Sequence, residues 1–173
     1  KNYTAEQMAI ELQKLGSSIN TFSSRDGIVM TVQCLKKNID KTLLLLQERM
    51  FNPSFTEDAF TRKQKQKLEW LEQAKTQPAV VASDIAAKIY YGAGNILAMR
   101  EEGTESSLNN MKLEDISNYY SNYISSQGAK VVVVGDVKQE EILPKLAFLN
   151  KLPNKKVEIP AVNVKLPEAG KST

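Results

Sequence analysis

The chain has 173 residues, 42% of them hydrophobic, which is enough to bury the core of one ordinary domain. Its 23 basic and 20 acidic residues leave a net charge of +3, a balance too even to point to nucleic acid or an anionic membrane surface. There is no histidine, so imidazole acid–base catalysis, Ser-His-Asp and Cys-His arrangements and imidazole-dependent zinc sites are excluded from this chain's own residues. Neither a membrane-crossing apolar run nor a signal peptide is expected, and the abrupt start suggests a piece of something longer.

Thr4 and Gln7 form a capping-box pattern, Met8, Leu12 and Leu15 share a helical face, and Gly16 suits the position just past a helix end. A short helix therefore opens the chain. Ser17–Ser24 and Ile28–Leu35 flank the turn residues Arg25-Asp26-Gly27 and predict a β-hairpin, with Ile19 and Phe22 on one strand and Ile28, Val29, Met30, Val32 and Leu35 on the other. Cys34, the only cysteine, falls on the second strand and is expected to be a small apolar core residue, with no disulfide or thiolate metal cluster possible within the chain. Ile39–Met50 holds four consecutive leucines, Leu43 to Leu46, and predicts a helix that is apolar over much of its circumference. Such a helix should lie against the hairpin and beneath later helices.

After the break at Asn52-Pro53, Thr56 with Glu57 and Asp58 starts a long helix running to about Lys75. Its middle, Thr61–Lys67, is polar on every face, so it is either solvated all round or lines a wet cavity on one side. Lys63, Lys67 and Trp70 stand at i, i+4 and i+7, which turns two ammonium groups and an indole in one direction. Glu69 and Glu72 read as surface charge partners rather than an acid–base pair, and with Glu101, Glu102 and Glu105 they oppose any broad positive field for nucleic acid.

Pro78 opens a helix over Ala79–Tyr91, where Ala82, Ala86 and Ala87 suggest close helix packing. Tyr91-Gly92-Ala93-Gly94 follows a helix and lacks both a third glycine and a Lys-Ser/Thr pair, so it is no phosphate loop. Asn95–Ser106 reads as irregular, Leu113–Ile124 as an amphipathic helix with Tyr119, Tyr120 and Tyr123 packing, Lys130–Asp136 as the plainest strand, and Glu140–Leu149 as a closing helix. Lys1–Leu149 is expected to form one domain. Residues 150–173, punctuated by Pro153, Pro160 and Pro167, read as a linker arm toward a following domain.

In order, Gly16-Ser17-Ser18-Ile19-Asn20-Thr21-Phe22-Ser23-Ser24-Arg25-Asp26, Asn52-Pro53-Ser54-Phe55, Tyr90-Tyr91-Gly92, Gly103-Thr104, Tyr119-Tyr120 and Val131-Val132-Val133-Val134-Gly135-Asp136-Val137 resemble a domain of the insulinase/pitrilysin (inverzincin) zinc metallopeptidases. The resemblance covers Lys1 to Leu149. It implies an α+β fold, an antiparallel β-sheet with helices packed on it, like a domain of insulinase or mitochondrial processing peptidase, here lacking its first strand and the metal-binding helix. It also implies a parent built of several such domains around a peptide-binding chamber.

In members that cut peptides, an H-x-x-E-H helix supplies two His ligands and the Glu that activates water, and a later helix supplies a Glu as third ligand. On this resemblance H-x-x-E-H would precede Lys1, the third ligand falls on Trp70 and a second acidic position on Lys63; a count one residue different would select Glu69. An indole offers only an N–H, a lysine beside a dication is repulsive, and Glu69 points about 100° away from the Lys63–Trp70 stripe. The resemblance therefore implies a degenerate, non-catalytic repeat, most like the first domain of the C-terminal half in two-half members. Catalytic and metal residues are expected to be absent from this chain and zinc to sit in the catalytic domain of the parent. Lys63, Lys67 and Trp70 are the substrate-chamber candidates.

Expected partners are a peptide substrate and other peptidase domains, in the same chain or on a partner subunit, with no nucleic acid. A bacterial periplasm or cell envelope is implied by resemblance, and exposed strand edges are a further candidate contact for peptides. Two alternatives stay open: a truncated catalytic domain with H-x-x-E-H upstream, and a structural or partner subunit of a processing peptidase.

Overall fold

The computed structural model describes residues 3–24 and 27–158. They fall in two compact units, one of residues up to Ser54 together with Tyr120–Val157 and the other built on Phe55–Tyr119. The architecture is α+β, mostly helical, and among the described residues the sheet consists of a single antiparallel pair of strands.

In the first unit, α1 (Ala5–Lys14) starts with a complete capping box between Thr4 and Gln7. It ends at Gly16, whose φ of 58° lets Ser17 N–H reach the Leu12 carbonyl at 2.9 Å while Gly16 N–H reaches that of Gln13 at 3.0 Å. This stop aims the chain into β1 (Ser18–Ser24), which pairs with β2 (Gly27–Gln33) in the register Ile19 opposite Val32, Phe22 opposite Val29 and Ser24 opposite Gly27. Arg25 and Asp26, expected to turn the hairpin, lie outside the described residues. Cys34 sits just past β2 and is half-buried.

The hairpin presents Ile19, Met30 and Val32 to α2 (Ile39–Phe51), where Leu43, Leu45 and Leu46 complete a core with Leu12; Leu146 and Phe148 pack on it. Thr42 is the fully buried polar residue of this core. It donates to the Asn38 carbonyl at 2.9 Å and lies 2.8 Å from the Ser17 hydroxyl, which must therefore donate to it. The Arg49 guanidinium reaches the Ile19 carbonyl at 2.6 Å and joins the other end of α2 to β1.

One leucine of α2, Leu44, stays 65% exposed while Leu43, Leu45 and Leu46 are buried. Two expectations for this unit change. The closing helix is cut short: α7 (Gln139–Lys145) carries Pro144, which lacks the N–H a continuing helix needs, and the chain passes into a 3-10 turn at Ala147–Lys151. Lys130–Asp136 is not a strand either, since among the described residues nothing pairs with it, and a ladder requires a partner. Pro153 and Asn154 are hydrogen-bonded to the loop after α6: Ser125 Oγ and Ser126 N–H donate to the Pro153 carbonyl at 3.1 and 2.9 Å, and Gln127 donates to Asn154 at 3.0 Å.

The second unit is helical. α3 (Glu57–Lys75) is capped by Thr56 and joined through Thr76-Gln77 to α4 (Pro78–Tyr91), with Pro78 in the first turn where its missing N–H has no partner to lose. A 3-10 turn at Ile96–Ala98 leads to α5 (Glu105–Asn110), which has its own capping box from Thr104 and Ser107. α6 (Leu113–Tyr123) then carries the chain back to the first unit's residues. Leu71, Ala74, Ala98 and Leu108 are the unit's buried apolar residues. The alanines of α4 do not make the expected close packing, as Ala82 and Ala86 are exposed, as are Ile85 and Ile89.

The asymmetry of α2 has a direct test. Leu45→Ala should lower stability by about 2–4 kcal/mol, whereas Leu44→Ala should cost below about 1 kcal/mol, both read from urea unfolding midpoints with unchanged slope.

Candidate functional site

Lys63, Lys67 and Trp70 lie on one stripe of α3, and the next residue along it, Ala74, is buried. The stripe therefore runs from solvent at Lys63 to the core at Ala74, with Trp70 at the margin at 36% exposure. The helix is not solvated all round in its polar middle: Gln64 is half-buried and donates to the Leu108 carbonyl at 2.6 Å, satisfying an acceptor in the last turn of α5. Glu69 reaches Lys65 at 3.9 Å and Glu72 reaches Lys75 at 2.5 Å, all four groups well exposed. Glu72, by hydrogen bonding, and then Glu105 raise the Lys75 ammonium above its ordinary pKa. Neither Lys63 nor Lys67 has an ion-pair partner among the described residues.

Trp70 has a neighbour that the stripe alone does not indicate. The Arg100 guanidinium lies 5.7 Å from the centre of its ring, within cation–π reach, and is held there by an ion pair to Asp84 on α4. Both members of the pair are largely shielded, and the Asp84 hydrogen bond raises the Arg100 pKa against the opposing effect of burial. Trp70, Asp84 and Arg100, with Ala79, Val80, Ser83 and Glu102, line an open cleft of about 290 Å³. Lys63 and Lys67 do not line it.

Asp84 could have been suspected from sequence. It is the one charged residue between Pro78 and Ala87, and a carboxylate on an otherwise apolar helix needs a cation when it is shielded from water. Its partner is sixteen residues away, beyond a glycine-rich turn, and no periodicity links the two.

The donor set does not fit zinc. The chain has no imidazole, and among the described residues no three Asp, Glu or Cys side chains converge. Glu69 and Glu72, the carboxylates of α3 closest to Trp70, are engaged by lysines on the helix surface. The cleft offers a planar aromatic wall, a fixed guanidinium and two carboxylates. That chemistry suits reversible contact with polar and aromatic groups.

The chain belongs to the insulinase family, peptidase family M16, whose model matches residues 1–99; the model of the M16 inactive domain matches residues 110–173. It is 28% identical over 146 residues to the non-peptidase homolog YmxG of Helicobacter pylori, covering 84% of this chain and 34% of that protein. The crystal structure of a peptidase M16 inactive domain from Pseudomonas fluorescens matches with a TM-score of 0.80 at 22% identity, over 92% of this chain and 40% of that one. The first half of the periplasmic protease PqqL from Escherichia coli matches with a TM-score of 0.78 at 17% identity, over 95% and 37%. The chain thus spans little more than a third of these proteins, and its fold is that of the M16 inactive domain. No described helix is long and apolar enough to cross a membrane.

The Asp84–Arg100 pair should show in a double-mutant cycle. Asp84→Ala and Arg100→Ala are expected to be non-additive by about 1 kcal/mol in urea unfolding, as befits a shielded pair; a coupling near zero would place both groups in bulk water.

Proposed function

We propose that this chain is a non-catalytic domain of a zinc metallopeptidase, shaping the wall of the chamber in which the parent holds its peptide substrate. The observation that carries the reading is the face of α3. A helix of the M16 fold turns two lysines, without ion-pair partners among the described residues, and an indole outward, in a chain that has no imidazole to ligate a metal. Zinc then belongs to another domain of the parent, in the same polypeptide or on a partner subunit.

Lys63 and Lys67 supply mobile positive charge for acidic side chains of a peptide, and Trp70 supplies an apolar plate stiffened by Arg100. The same carboxylate chemistry argues against rescue of a metal site at Glu69, since the lysine beside it would have to give up its charge pair while a dication arrived. A cell-envelope location for the parent is supported by the fold shared with a periplasmic protease.

Two measurements test this. Calorimetric titration of the chain with zinc should show no tight stoichiometric binding, and a 1:1 complex that vanishes in Glu69→Gln would overturn the reading. A photoreactive aromatic at position 70 in the parent should crosslink to bound peptide, and Trp70→Ala should weaken peptide binding about three- to tenfold, in line with the loss of one aromatic contact. Crosslinks confined to solvent-borne quenchers, with unchanged peptide affinity, would remove Trp70 from the chamber.

A further inference from the structure

We infer that the cleft between α3 and α4 receives a basic side chain, an arginine in preference to a lysine, from a polypeptide held against this face. The inference deepens the chamber reading and rests on it for the presence of that polypeptide. The residues that carry it are Glu102, Asp84 and Trp70, not the lysines of α3.

Charge decides the sign of the occupant. The lining holds two carboxylates, Asp84 and Glu102, against one guanidinium, that of Arg100, so one negative charge is left over. Ala79 and Val80 belong to the first turn of α4, whose dipole adds about half a positive charge and does not reverse that sign. An entering carboxylate would therefore be repelled. An entering cation leaves the lining close to neutral.

The arrangement of the acceptors agrees. Nε and Nη2 of Arg100 both contact Oδ2 of Asp84, so Oδ1 of the same carboxylate lies outside the ion pair. Hydrogen bonding to Asp84, and beyond it the field of Glu102, raise the Arg100 pKa, so this guanidinium stays charged and occupied with Asp84. Glu102 acts on it through space and stands outside the pair. The Ser83 hydroxyl adds a further acceptor to the lining.

Trp70 selects the kind of cation. Its ring already has a guanidinium 5.7 Å from its centre, so its surroundings suit planar cations, and at 36% exposure it still presents surface to the cleft. A guanidinium can lie flat on an indole while its N–H fork meets a carboxylate; an ammonium is a point charge that cannot do both as well. Size points to a side chain too. The cleft is open and its volume of about 290 Å³ is at the lower end for ligand pockets, which suits one side chain of a longer polymer rather than an enclosed cofactor.

Trp70 is the single tryptophan, so its fluorescence reports on the cleft directly. The test titrates the 173-residue chain with acetyl-Gly-Gly-Arg-Gly-Gly-amide and with the same peptide carrying citrulline, the neutral isostere, lysine or glutamate in place of arginine. A saturable change is expected with arginine, a weaker one with lysine, and none with citrulline or glutamate. Glu102→Gln should weaken arginine binding by at least about threefold without altering the far-UV circular dichroism, whereas Glu69→Gln, outside the cleft, should not change it. Equal binding of the citrulline peptide, indifference to Glu102→Gln, or no saturable change with arginine would overturn the inference. Preference for the glutamate peptide would overturn it as well and make Arg100 an anion site. The chamber reading is judged separately by the crosslink at position 70: a crosslink that forms equally with peptides lacking arginine keeps the chamber and removes the basic-side-chain site, and arginine binding without any crosslink in the parent keeps the site and removes the chamber.

Discussion

Burial of one side of α2 against β1 is the constraint on which the first unit depends. Leu43, Leu45 and Leu46 meet Ile19 and Leu12, and the hydroxyl of Thr42 sits inside that contact. A buried hydroxyl is tolerable only if it is bonded, and Thr42 is bonded in both directions, to Asn38 within its own helix and to Ser17 where β1 begins. The Asn38 side chain in turn donates to the Leu15 carbonyl at 2.7 Å. These three bonds fix the start of α2 against the end of α1 and the start of the hairpin, while Arg49 does the same for its far end. Dispersion and apolar burial supply the driving force; the polar contacts select one registry.

The second unit is organised differently. Its apolar residues are few, and much of α4 faces outward. Specific polar contacts take a larger share: Gln64 to the end of α5, Asp84 to Arg100, Lys75 to Glu72 and Glu105. The exposed pairs among these contribute little, whereas Gln64 and Asp84 act where water is partly excluded and each holds a neighbouring segment in place. The second of them places the Arg100 guanidinium 5.7 Å from the centre of the Trp70 ring, so a residue of α4 as well as α3 shapes the surroundings of Trp70.

Local signals in the sequence were sufficient for most elements. The capping residues Thr4, Gln7 and Thr56, the first-turn Pro78 and the helix stop at Gly16 each act over a few residues, and each boundary falls where its cap predicts. The hairpin was similarly readable, although its second strand runs Gly27–Gln33 rather than to Leu35 and its register comes from the pairing itself. Asp84–Arg100 and Gln64–Leu108 were not, because they join segments sixteen and forty-four residues apart whose approach is decided by packing. Val131–Val134 shows the limit most clearly. Its composition is a strand's composition, but strand formation is a property of a pair, and composition reports only one member. Of the candidate site, the stripe of Lys63, Lys67 and Trp70 was legible; the guanidinium that braces Trp70 was not.

The interactions that hold α3 are separate from the residues on its outward face. Leu71 and Ala74 carry its apolar burial, Gln64 its long-range hydrogen bond, and Thr56 its cap. Lys63 and Lys67 are exposed and take no part in these contacts. Substitution at exposed helix positions generally changes stability by no more than about 0.5 kcal/mol, so the outward face of α3 is free to exchange acidic for basic residues while the fold keeps its stability. Trp70 is the exception, since it lies at the margin of the buried region beside the Arg100 guanidinium that Asp84 holds. Trp70 is thus the one residue of that stripe whose surroundings include a shielded ion pair.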